Sequence, residues 1–540
     1  MSQMLKSSAA MATATLVSRI LGLVREMVYA RFMGTGWVAS AFLFAFQIPN
    51  LFRRLLGEGA LTAAFVPIFK AKEKEEGERA MWEAGNAVVS ALLVAAAAII
   101  GLGILVITVA LQWDGLQDQT ALMLRLLRWM FPYMLMMCLV AIAVGMLNAR
   151  GQFFIPALGT SVLNLVMIAS VIWLAPRMGT RLHEQVYALA FGVLAAGAAQ
   201  ALFQVPTLRK NGWRFRWVTP WKNPTVAEVA RRMIPTTVGV AAYQLNIVAT
   251  QGFAFWIGDS IVASFQYAVR LMELPQGLFG VSLATYLLPT LSGLASERKH
   301  AEFRQTLIQG LSHLVLINTL ASVLLIALAR PIVRLLFEGG LFQAMATENV
   351  AFALRLLAPG LVAFSGTGIL ARAFYALGDT KVPMQVSVFC LGLNTVISIL
   401  LMFSLREGGL ALANTLTSIA NVLLLGYALR KKLPKLDFAG LGRESRTVVG
   451  TAVPVGIGVF FLGWWWESHV GSTQVITKLG NVAVPALVGS IVYFGALWLQ
   501  KVPACRELTE TLVGRLAGRR APRGQDQGIA SGRPDVKTGD

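Results

Sequence analysis

Long apolar stretches alternate with short polar loops along nearly the whole chain. One stretch, Ala87–Leu111, exceeds the roughly 20 residues that an α-helix needs to cross a bilayer. No segment shows the alternation over roughly ten residues that is typical of an outer-membrane barrel. We therefore predict an all-α integral membrane protein with about fourteen transmembrane helices. Their expected limits are 7–33, 37–69, 84–112, 121–149, 155–175, 184–208, 226–256, 260–293, 306–329, 348–377, 382–404, 409–430, 444–466 and 477–499.

The apolar pattern repeats after about six predicted spans. The stretch from Gly34 to Ser40 resembles the stretch from Gly258 to Ser264. A second set of matches, at nearly the same offset, pairs Pro132, Ala149, Gly151 and Pro156 with Pro359, Ala376, Gly378 and Pro383. A repeat unit with an even number of spans predicts two parallel lobes with a binding site between them, as in known transporters.

The repeat and the composition together predict four regions. Spans 1–6 form an N-terminal lobe (1–215), and spans 7–12 form a C-terminal lobe (216–435). Spans 13 and 14 (436–500) fall outside the repeat. The end of the chain (501–540) is rich in Gly and Arg, and its composition predicts a basic, disordered tail.

Lysine and arginine are concentrated in every second loop, beginning with Lys70–Glu83. Because basic loops stay in the cytoplasm, this bias predicts that both termini and the tail are cytoplasmic. The linker between the lobes, Arg209–Arg232, mixes tryptophans with basic residues, which is typical of a segment on the membrane surface.

The composition also favours a membrane protein. The chain is 56% hydrophobic and 14% charged, and a soluble protein carries about 25% charged residues. Its net charge of +20 is typical of nucleic-acid binding, but the basic residues lie mostly in short loops and in the tail. Membrane orientation explains that distribution, so we expect no nucleic-acid partner.

Several charged residues lie inside predicted spans, where each costs roughly 2.5–3.5 kcal/mol on insertion scales. Such residues must face protein or a water-filled cavity. The arginines are Arg19, Arg25, Arg53, Arg54 and Arg270, and the acids are Glu26, Glu58 and Glu273. Because arginines outnumber acids, the cavity is expected to hold an anion. Structural ion pairs are the alternative, with Glu58 paired to Arg25 or Arg54 and Arg270 paired to Glu273, three residues away on one helix face.

Helix-breaking residues follow the charges in the eighth predicted span. Pro275, Gly277 and Gly280 come directly after Glu273. Such residues can kink a span and open backbone groups to a cavity. Close helix packing by small residues is an equally good explanation.

The sequence contains no common catalytic signature. It has no GxSxG, no HExxH and no phosphate loop ending in GK[ST], so we expect no enzyme and no ATP hydrolysis. The three cysteines and four histidines are scattered, and we expect neither a disulfide nor a metal or cofactor site. Transport is then driven by an ion gradient, the membrane potential or substrate supply.

Five short motifs resemble those of the MurJ (MviN) family of lipid II flippases, within the multidrug/oligosaccharidyl-lipid/polysaccharide exporter superfamily. They are Ser18–Arg25, Pro49–Arg54, Glu58–Ala60, Ala64–Pro67 and Arg270–Glu273. The resemblance extends over essentially the whole chain. It implies transport of lipid II, the undecaprenyl-diphosphate-linked disaccharide-pentapeptide, from the cytoplasmic to the periplasmic leaflet of the bacterial inner membrane for peptidoglycan synthesis.

The resemblance also implies roles for single residues. Arg19, Arg25, Arg53, Arg54 and Arg270 would bind substrate, and Glu26, Glu58 and Glu273 would form ion pairs or gate the cavity. Spans 13 and 14 would form a groove for the polyprenyl tail. Lipid II and membrane lipids would be the partners of a monomer, with the cell-wall synthesis machinery as a further candidate.

The chain departs from the family pattern at two places. Ser40 stands where some members have an aspartate, so that acid cannot be essential here. Some members bind sodium through carboxylates in the C-terminal lobe. The corresponding region, around Asn394, Ser398 and Asn414, has no acid, and we do not expect sodium coupling.

Two other classes of function remain open at this point, a related exporter and a membrane enzyme. A related exporter of another polyprenyl-linked oligosaccharide would share the arginines, whereas an exporter of cationic drugs would need acids in its cavity. A membrane enzyme acting on polyprenyl phosphates would need a cluster of carboxylates or histidines at the membrane surface, and the sequence offers none.

Overall fold

The computed structural model of the chain describes residues 2–52, 60–221 and 223–516. Its secondary structure is helical apart from one isolated bridge, between Gly339 and Phe342. The α-helices are α1 (Ser2–Met33), α2 (Trp37–Phe52), α3 (Ala60–Glu76), α4 (Glu78–Ala110), α5 (Asp118–Met130), α6 (Tyr133–Ala149), α7 (Phe154–Ala169), α8 (Leu182–Gln185), α9 (Tyr187–Lys210), α10 (Pro224–Ile257), α11 (Ile261–Pro275), α12 (Ser282–Ser296), α13 (His300–Ala327), α14 (Ala329–Leu336), α15 (Ala344–Leu357), α16 (Leu361–Ala376), α17 (Lys381–Leu405), α18 (Glu407–Lys432), α19 (Phe438–His469), α20 (Val475–Leu499) and α21 (Pro503–Leu516).

Membrane-length apolar helices dominate the fold. Among the described residues, 10 helical segments are long and apolar enough to cross a bilayer, or up to 11 if α5 and α6, bent by 41°, form one span. Within the described residues, each predicted span falls on one helix or on consecutive helices, and residues 53–59 of the second predicted span lie outside them. Helices α1 and α10 are 32 and 34 residues long but are not among the 10, and α2 is shorter.

The internal repeat extends to the breaks between helices. The matched prolines Pro132 and Pro359 both lie where a span is interrupted, before α6 and before α16. The matched glycines Gly151 and Gly378 both follow a helix end, with φ of 73° and 74°. Glycine adopts positive φ without the steric penalty that other residues carry. We call residues 1–215 the first repeat and residues 216–435 the second repeat.

The predicted break in the eighth span is present. Between α11 and α12 the chain forms a π-helical segment, Gln276–Val281, directly after Pro275. Proline cannot donate its backbone hydrogen bond, and single π turns often mark functional sites. Gly280 also fits closely, because a Cβ atom there would lie 2.4 Å from the Ser365 hydroxyl oxygen. Both explanations for these residues, a helix break and close packing, therefore apply.

The two repeats share a hydrophobic core at one end of the bundle. Phe44 of α2 stacks on Phe255 of α10, with ring centroids 5.1 Å apart. The Leu341 amide donates to the Arg31 carbonyl oxygen at 2.9 Å, and Gly34 fits against the Leu341 carbonyl. We call this end, where both repeats are in direct contact, the Gly34 end.

The hairpin of α19 and α20 packs against the second repeat. The Tyr493 hydroxyl donates to the Leu316 carbonyl oxygen of α13 at 2.8 Å. An ion pair of 2.5 Å joins Arg334 of α14 to Glu467 of α19. The hairpin is thus fixed at two levels to the same repeat.

The structure describes the linker and the first part of the tail. The linker lies along α4, since Asn86 accepts from the Trp213 indole at 3.0 Å and donates to the Arg214 carbonyl oxygen at 2.9 Å. The prediction of a disordered tail from residue 501 is wrong for Pro503–Leu516, which form α21. This helix packs the fully buried Cys505 into a core with α13, α19 and α20, a contact that composition alone could not predict. Residues 517–540 lie outside the described residues.

Candidate functional site

Helix α1 carries the polar residues of the first repeat into the space between the repeats. The Arg25 guanidinium donates to the Glu26 carboxylate at 2.5 Å and to the Asn164 side-chain oxygen of α7 at 3.0 Å. Its carbon Cζ lies 5.5 Å from the centre of the Tyr29 ring. Glu26 is 7% exposed, so this carboxylate is held inside the protein by its arginine partners.

Helix α11 brings a second arginine to the same carboxylate from the other repeat. The distance from Arg270 Nε to Glu26 Oε1 is 3.6 Å. The other arm of Arg270 donates to Glu273 at 2.8 Å, so the predicted Arg270–Glu273 ion pair is present. Two arginines and two glutamates therefore form one continuous ionic network that joins the repeats.

The network is close to electrical balance but not closed. A guanidinium has five N–H donors, and Arg25 Nε has no partner among the described residues. The side chain of Arg270 is 35% exposed and that of Glu273 is 44% exposed. Because Arg270 is partly exposed, an anion that approaches it can compete with the two carboxylates for its N–H donors.

Of the three predicted site arginines that the structure describes, Arg19 is the one without a carboxylate partner among the described residues. Its side chain is exposed, and no carboxylate of the described residues lies within ion-pair distance. The guanidinium lies against Gly277 in the π-helical segment, where a Cβ atom would come within 2.3 Å of Nη1. Glycine at that position allows an arginine of the first repeat to contact the backbone of the second.

The structure describes only part of the predicted site. It brings Arg25, Glu26, Arg270 and Glu273 together, with Arg19 against the second repeat. Arg53, Arg54 and Glu58 lie outside the described residues, so the predicted excess of positive charge rests on Arg19 within the described set. The expected partner of Arg25, Glu58, lies there too, and the partner that the structure does describe is Glu26.

Sequence reasoning missed two contacts of Arg25. Neighbouring residues on a helix normally point apart, so the pair with Glu26 was not expected. Asn164 was also missed, although a signal existed. It is a carboxamide within the apolar stretch 155–175, where a polar group needs a partner.

A cavity of about 470 Å³ adjoins Arg270 and Glu273, lined mainly by the second repeat and also by Gln47 of α2. Polar side chains from α10, α11, α17 and α18 line most of it, including Asn246, Asn394 and Asn414. Among the described residues no three His, Cys, Asp or Glu side chains are grouped so that they could hold a metal ion.

A second cavity, of about 800 Å³, runs between α19 and α20. Its walls are mainly small and apolar residues such as Gly450, Val455, Gly458 and Val492, with Gln500 at one end. A largely apolar groove of this size can accommodate a hydrocarbon chain.

Comparisons with known proteins agree with this architecture. A family model described as "Lipid II flippase MurJ" matches residues 29–479. A lipid II flippase MurJ of Burkholderia cenocepacia is 31% identical over 90% of this chain and 95% of its own length. A probable lipid II flippase MurJ of Vibrio cholerae is 32% identical over 78% of this chain and 82% of its own length.

The solved structures give the same fold. The "Lipid II flippase MurJ, inward closed conformation" is similar with a TM-score of 0.72 and 23% identity, covering 90% of this chain and 99% of that one. The inward-facing conformation of a multidrug resistance MATE family transporter of the MOP superfamily has a TM-score of 0.61 and 15% identity, covering 79% and 99%.

Proposed function

Since this chain belongs to the lipid II flippase MurJ family, we propose that it moves lipid II from the cytoplasmic to the periplasmic leaflet of the bacterial inner membrane by alternating access. The observation that carries the proposal is the pair of arginines, Arg25 and Arg270, held from two repeats around one buried glutamate. A diphosphate needs several forked donors, and arginine supplies them in the geometry that phosphate oxygens accept.

Competition between carboxylates and diphosphate gives a mechanism for binding and release. When the diphosphate takes donors of Arg270, the link between Arg270 and Glu26 is weakened, and the repeats lose an ionic contact. When Glu26 takes the arginine back, the substrate is released and the repeats are drawn together. Arg19, beside the π-helical segment, supplies the positive charge that the carboxylates leave unbalanced.

The proposed architecture has about fourteen spans, two six-span lobes (1–215 and 216–435) and a C-terminal hairpin (436–500). Matching helix breaks in the two repeats support the lobes, and the loop charges support cytoplasmic termini. In that orientation the Gly34 end faces the periplasm. We propose a monomer that contacts membrane lipids and the cell-wall synthesis machinery.

The hairpin is proposed to hold the polyprenyl tail. The cavity between α19 and α20 supports this role because its walls are apolar. A tail that stays in contact with apolar surface avoids a cost of about 0.8 kcal/mol for each CH₂ group exposed to water. The headgroup can then cross through the polar cavity while the tail remains in the membrane.

Export of cationic drugs, the activity named for the MATE neighbours, has less support from the site. A cationic substrate needs a free carboxylate, but Glu26 and Glu273 both engage arginines. Arg19, beside the network, has no carboxylate within ion-pair distance among the described residues, which favours an anionic ligand.

Depletion of the protein from growing cells tests the proposed function. The measurement is the amount of lipid II headgroup that a membrane-impermeant reagent can reach from the periplasmic side. We expect accessible headgroup to fall while total lipid II is maintained, and re-expression of the chain to restore it. Unchanged accessibility after depletion, in cells without another flippase, would contradict the proposal.

A further inference from the structure

The cavity beside Arg270 has an unusual chemistry for the inside of a membrane protein. Eight of its lining side chains are carboxamides, contributed by α2, α10, α11, α17, α18 and the π-helical segment. Its charged side chains are Arg270 and Glu273, which pair with each other. We call this space the amide cavity.

The amide cavity has hydrogen-bonding capacity that the protein does not use. The Thr250 hydroxyl and the Asn421 side-chain oxygen are buried and have no partner among the described residues. The contact from Asn394 to Thr417 is 3.5 Å, at the long limit for a hydrogen bond. Both atoms are enclosed by protein, but the lining also contains eight carboxamides, and polar groups that face a cavity indicate a polar occupant.

The position of the cavity relative to the arginines limits which part of the substrate can occupy it. Gln266, Arg270 and Glu273 recur at helical spacing, so one face of α11 carries both an amide and the proposed diphosphate contact to the cavity. In the proposed substrate a sugar is bonded directly to the diphosphate. When Arg270 holds the diphosphate, that sugar must therefore lie within a few ångströms of the amide cavity.

Sugar chemistry also matches the lining. Each hydroxyl of a sugar both donates and accepts, and each carboxamide offers two donors and an acceptor. Phe265 and Phe364 give the same cavity apolar surface on which a sugar ring can lie. A volume of about 470 Å³ is within the range of small-ligand pockets. A pentapeptide fits less well, because its terminal carboxylate would find no cation in the lining besides Arg270.

We propose that the amide cavity binds the uncharged sugar portion of the headgroup, next to the diphosphate held by Arg270. This inference rests on the proposed lipid II transport and assigns two parts of the headgroup to two sets of residues. The arginines recognise the charge common to polyprenyl diphosphates, and the amides recognise the sugar that distinguishes the loaded carrier from the bare one.

Binding measurements with two ligands test the inference. Lipid II and undecaprenyl diphosphate, which lacks the sugar, are titrated into the purified full chain in lipid nanodiscs. The test variant is Asn394→Leu with Asn421→Leu, which keeps the branched side-chain shape but removes two amides. We expect lipid II affinity to fall about 10- to 100-fold, as for two lost hydrogen bonds, with undecaprenyl diphosphate affinity unchanged.

Two controls fix the interpretation. Asn318→Leu replaces a fully buried carboxamide of α13 that is not among the residues lining the cavity and whose polar atoms have no described partner. We expect both affinities to stay at wild-type values. Arg270→Ala should weaken both ligands, because each carries the diphosphate. Thermal unfolding of every variant checks that the fold is retained.

Four outcomes would overturn the inference. Equal loss of both ligands in the double variant would show that the amides do not select the sugar. Unchanged affinities would show that they do not contact the headgroup. Loss of sodium binding, measured with a radioactive tracer, at unaltered lipid II affinity would identify a cation site instead. Equal affinity of the wild-type chain for the two ligands would likewise overturn the inference. Failure of the proposed function itself is distinct, since the wild-type chain would then bind neither ligand.

Discussion

The two repeats carry polar groups on equivalent pairs of helices, but these polar groups differ in charge. In the first repeat, α1 and α7 are joined by Arg25 and Asn164, and Asn164 also donates to the Ser18 carbonyl oxygen at 3.1 Å. In the second repeat, the equivalent helices α10 and α17 are joined by Asn246, which donates to the Leu391 carbonyl oxygen at 3.2 Å and to Thr395. One junction contains a charged guanidinium and the other contains only neutral groups.

This difference shows how a duplicated framework can bind an asymmetric ligand. The substrate proposed here has a charged diphosphate on one side of its sugar and a neutral, hydroxyl-rich surface on the other. A repeat that carries guanidinium groups suits the first part, and a repeat that carries amides suits the second. Arg270 belongs to the amide repeat in sequence but reaches Glu26 of the ionic one, so it marks the boundary between the two chemistries.

Removing a cavity arginine should have the largest effect of any substitution that tests the difference between the repeats. We expect Arg25→Ala, Arg270→Ala or Arg19→Ala each to abolish transport, a loss of about 100-fold or more, since each removes charge-assisted hydrogen bonds worth roughly 1.5–3 kcal/mol apiece. The measurement is complementation of a depleted strain, with membrane content checked by immunoblot.

Lys299→Ala is the matched control for these variants. Lys299 pairs with Glu297 at 2.9 Å, but both side chains are more than half exposed, and surface pairs contribute little. We expect wild-type growth. Full complementation by all three cavity variants would contradict the cationic site.

A further difference between the repeats is that the hairpin of α19 and α20 packs on the second one, and removing the hairpin tests its role. We expect a chain cut after Leu436 to insert into the membrane but to move headgroup at least about tenfold more slowly, because the tail loses its apolar groove. The loss of the bond from Tyr493 to Leu316 should also lower thermal stability. Translocation is measured in vesicles.

A chain that ends at Leu516 is the control for the truncation. It retains α21 and its contacts with the hairpin, so we expect the wild-type rate. Wild-type translocation by the chain cut after Leu436 would leave the hairpin with only a stabilising or partner-binding role.

A substitution at the contact between the repeats at the Gly34 end should have a smaller and more local effect. Gly340 has φ of 57°, and a Cβ atom there would lie 2.3 Å from the Arg31 carbonyl oxygen of the other repeat. We expect Gly340→Ala to separate the repeats locally, to cost about 1–3 kcal/mol in unfolding free energy and to slow transport several-fold.

Gly151→Ala separates backbone strain from the clash between repeats. Gly151 also has positive φ, 73°, but nothing lies within 4 Å of the Cβ position. We expect a cost near 1 kcal/mol, the penalty for a left-handed alanine, and no change in transport. Equal effects of the two substitutions, measured by thermal unfolding, would show that the Gly34 end contributes only local strain.

The sequence predicted the periodic features of the molecule and missed those that depend on how helices meet. Hydropathy located the membrane-length apolar helices among the described residues, and Pro275 and Gly280 located the break between α11 and α12, because these signals are local. The pair of Arg25 with Asn164 could not be predicted, since it joins helices 139 residues apart. The carboxamides of the amide cavity were visible only as scattered polar residues until the fold brought them together.

The smallest expected effect concerns Ser40, where some family members have an acid. Ser40 is fully buried, and its hydroxyl oxygen accepts from the Ala263 amide of α11 at 3.4 Å. Ala263 lies in the first turn of α11, where backbone amides have no partner within the helix, so the serine of one repeat helps to cap a helix of the other. This bond is longer than the usual 2.7–3.2 Å.

We therefore expect Ser40→Ala to lower the free energy of unfolding by only about 0.5–1 kcal/mol while transport stays within about twofold of wild type. Ser264→Ala is the matched control, because Ser264 is the repeat-equivalent residue and its buried hydroxyl has no partner among the described residues. It should cost less. A Ser40→Ala variant that is stable and well expressed but inactive would mean that this hydroxyl acts in transport, and that the two repeats meet at Ser40 through more than a weak helix cap.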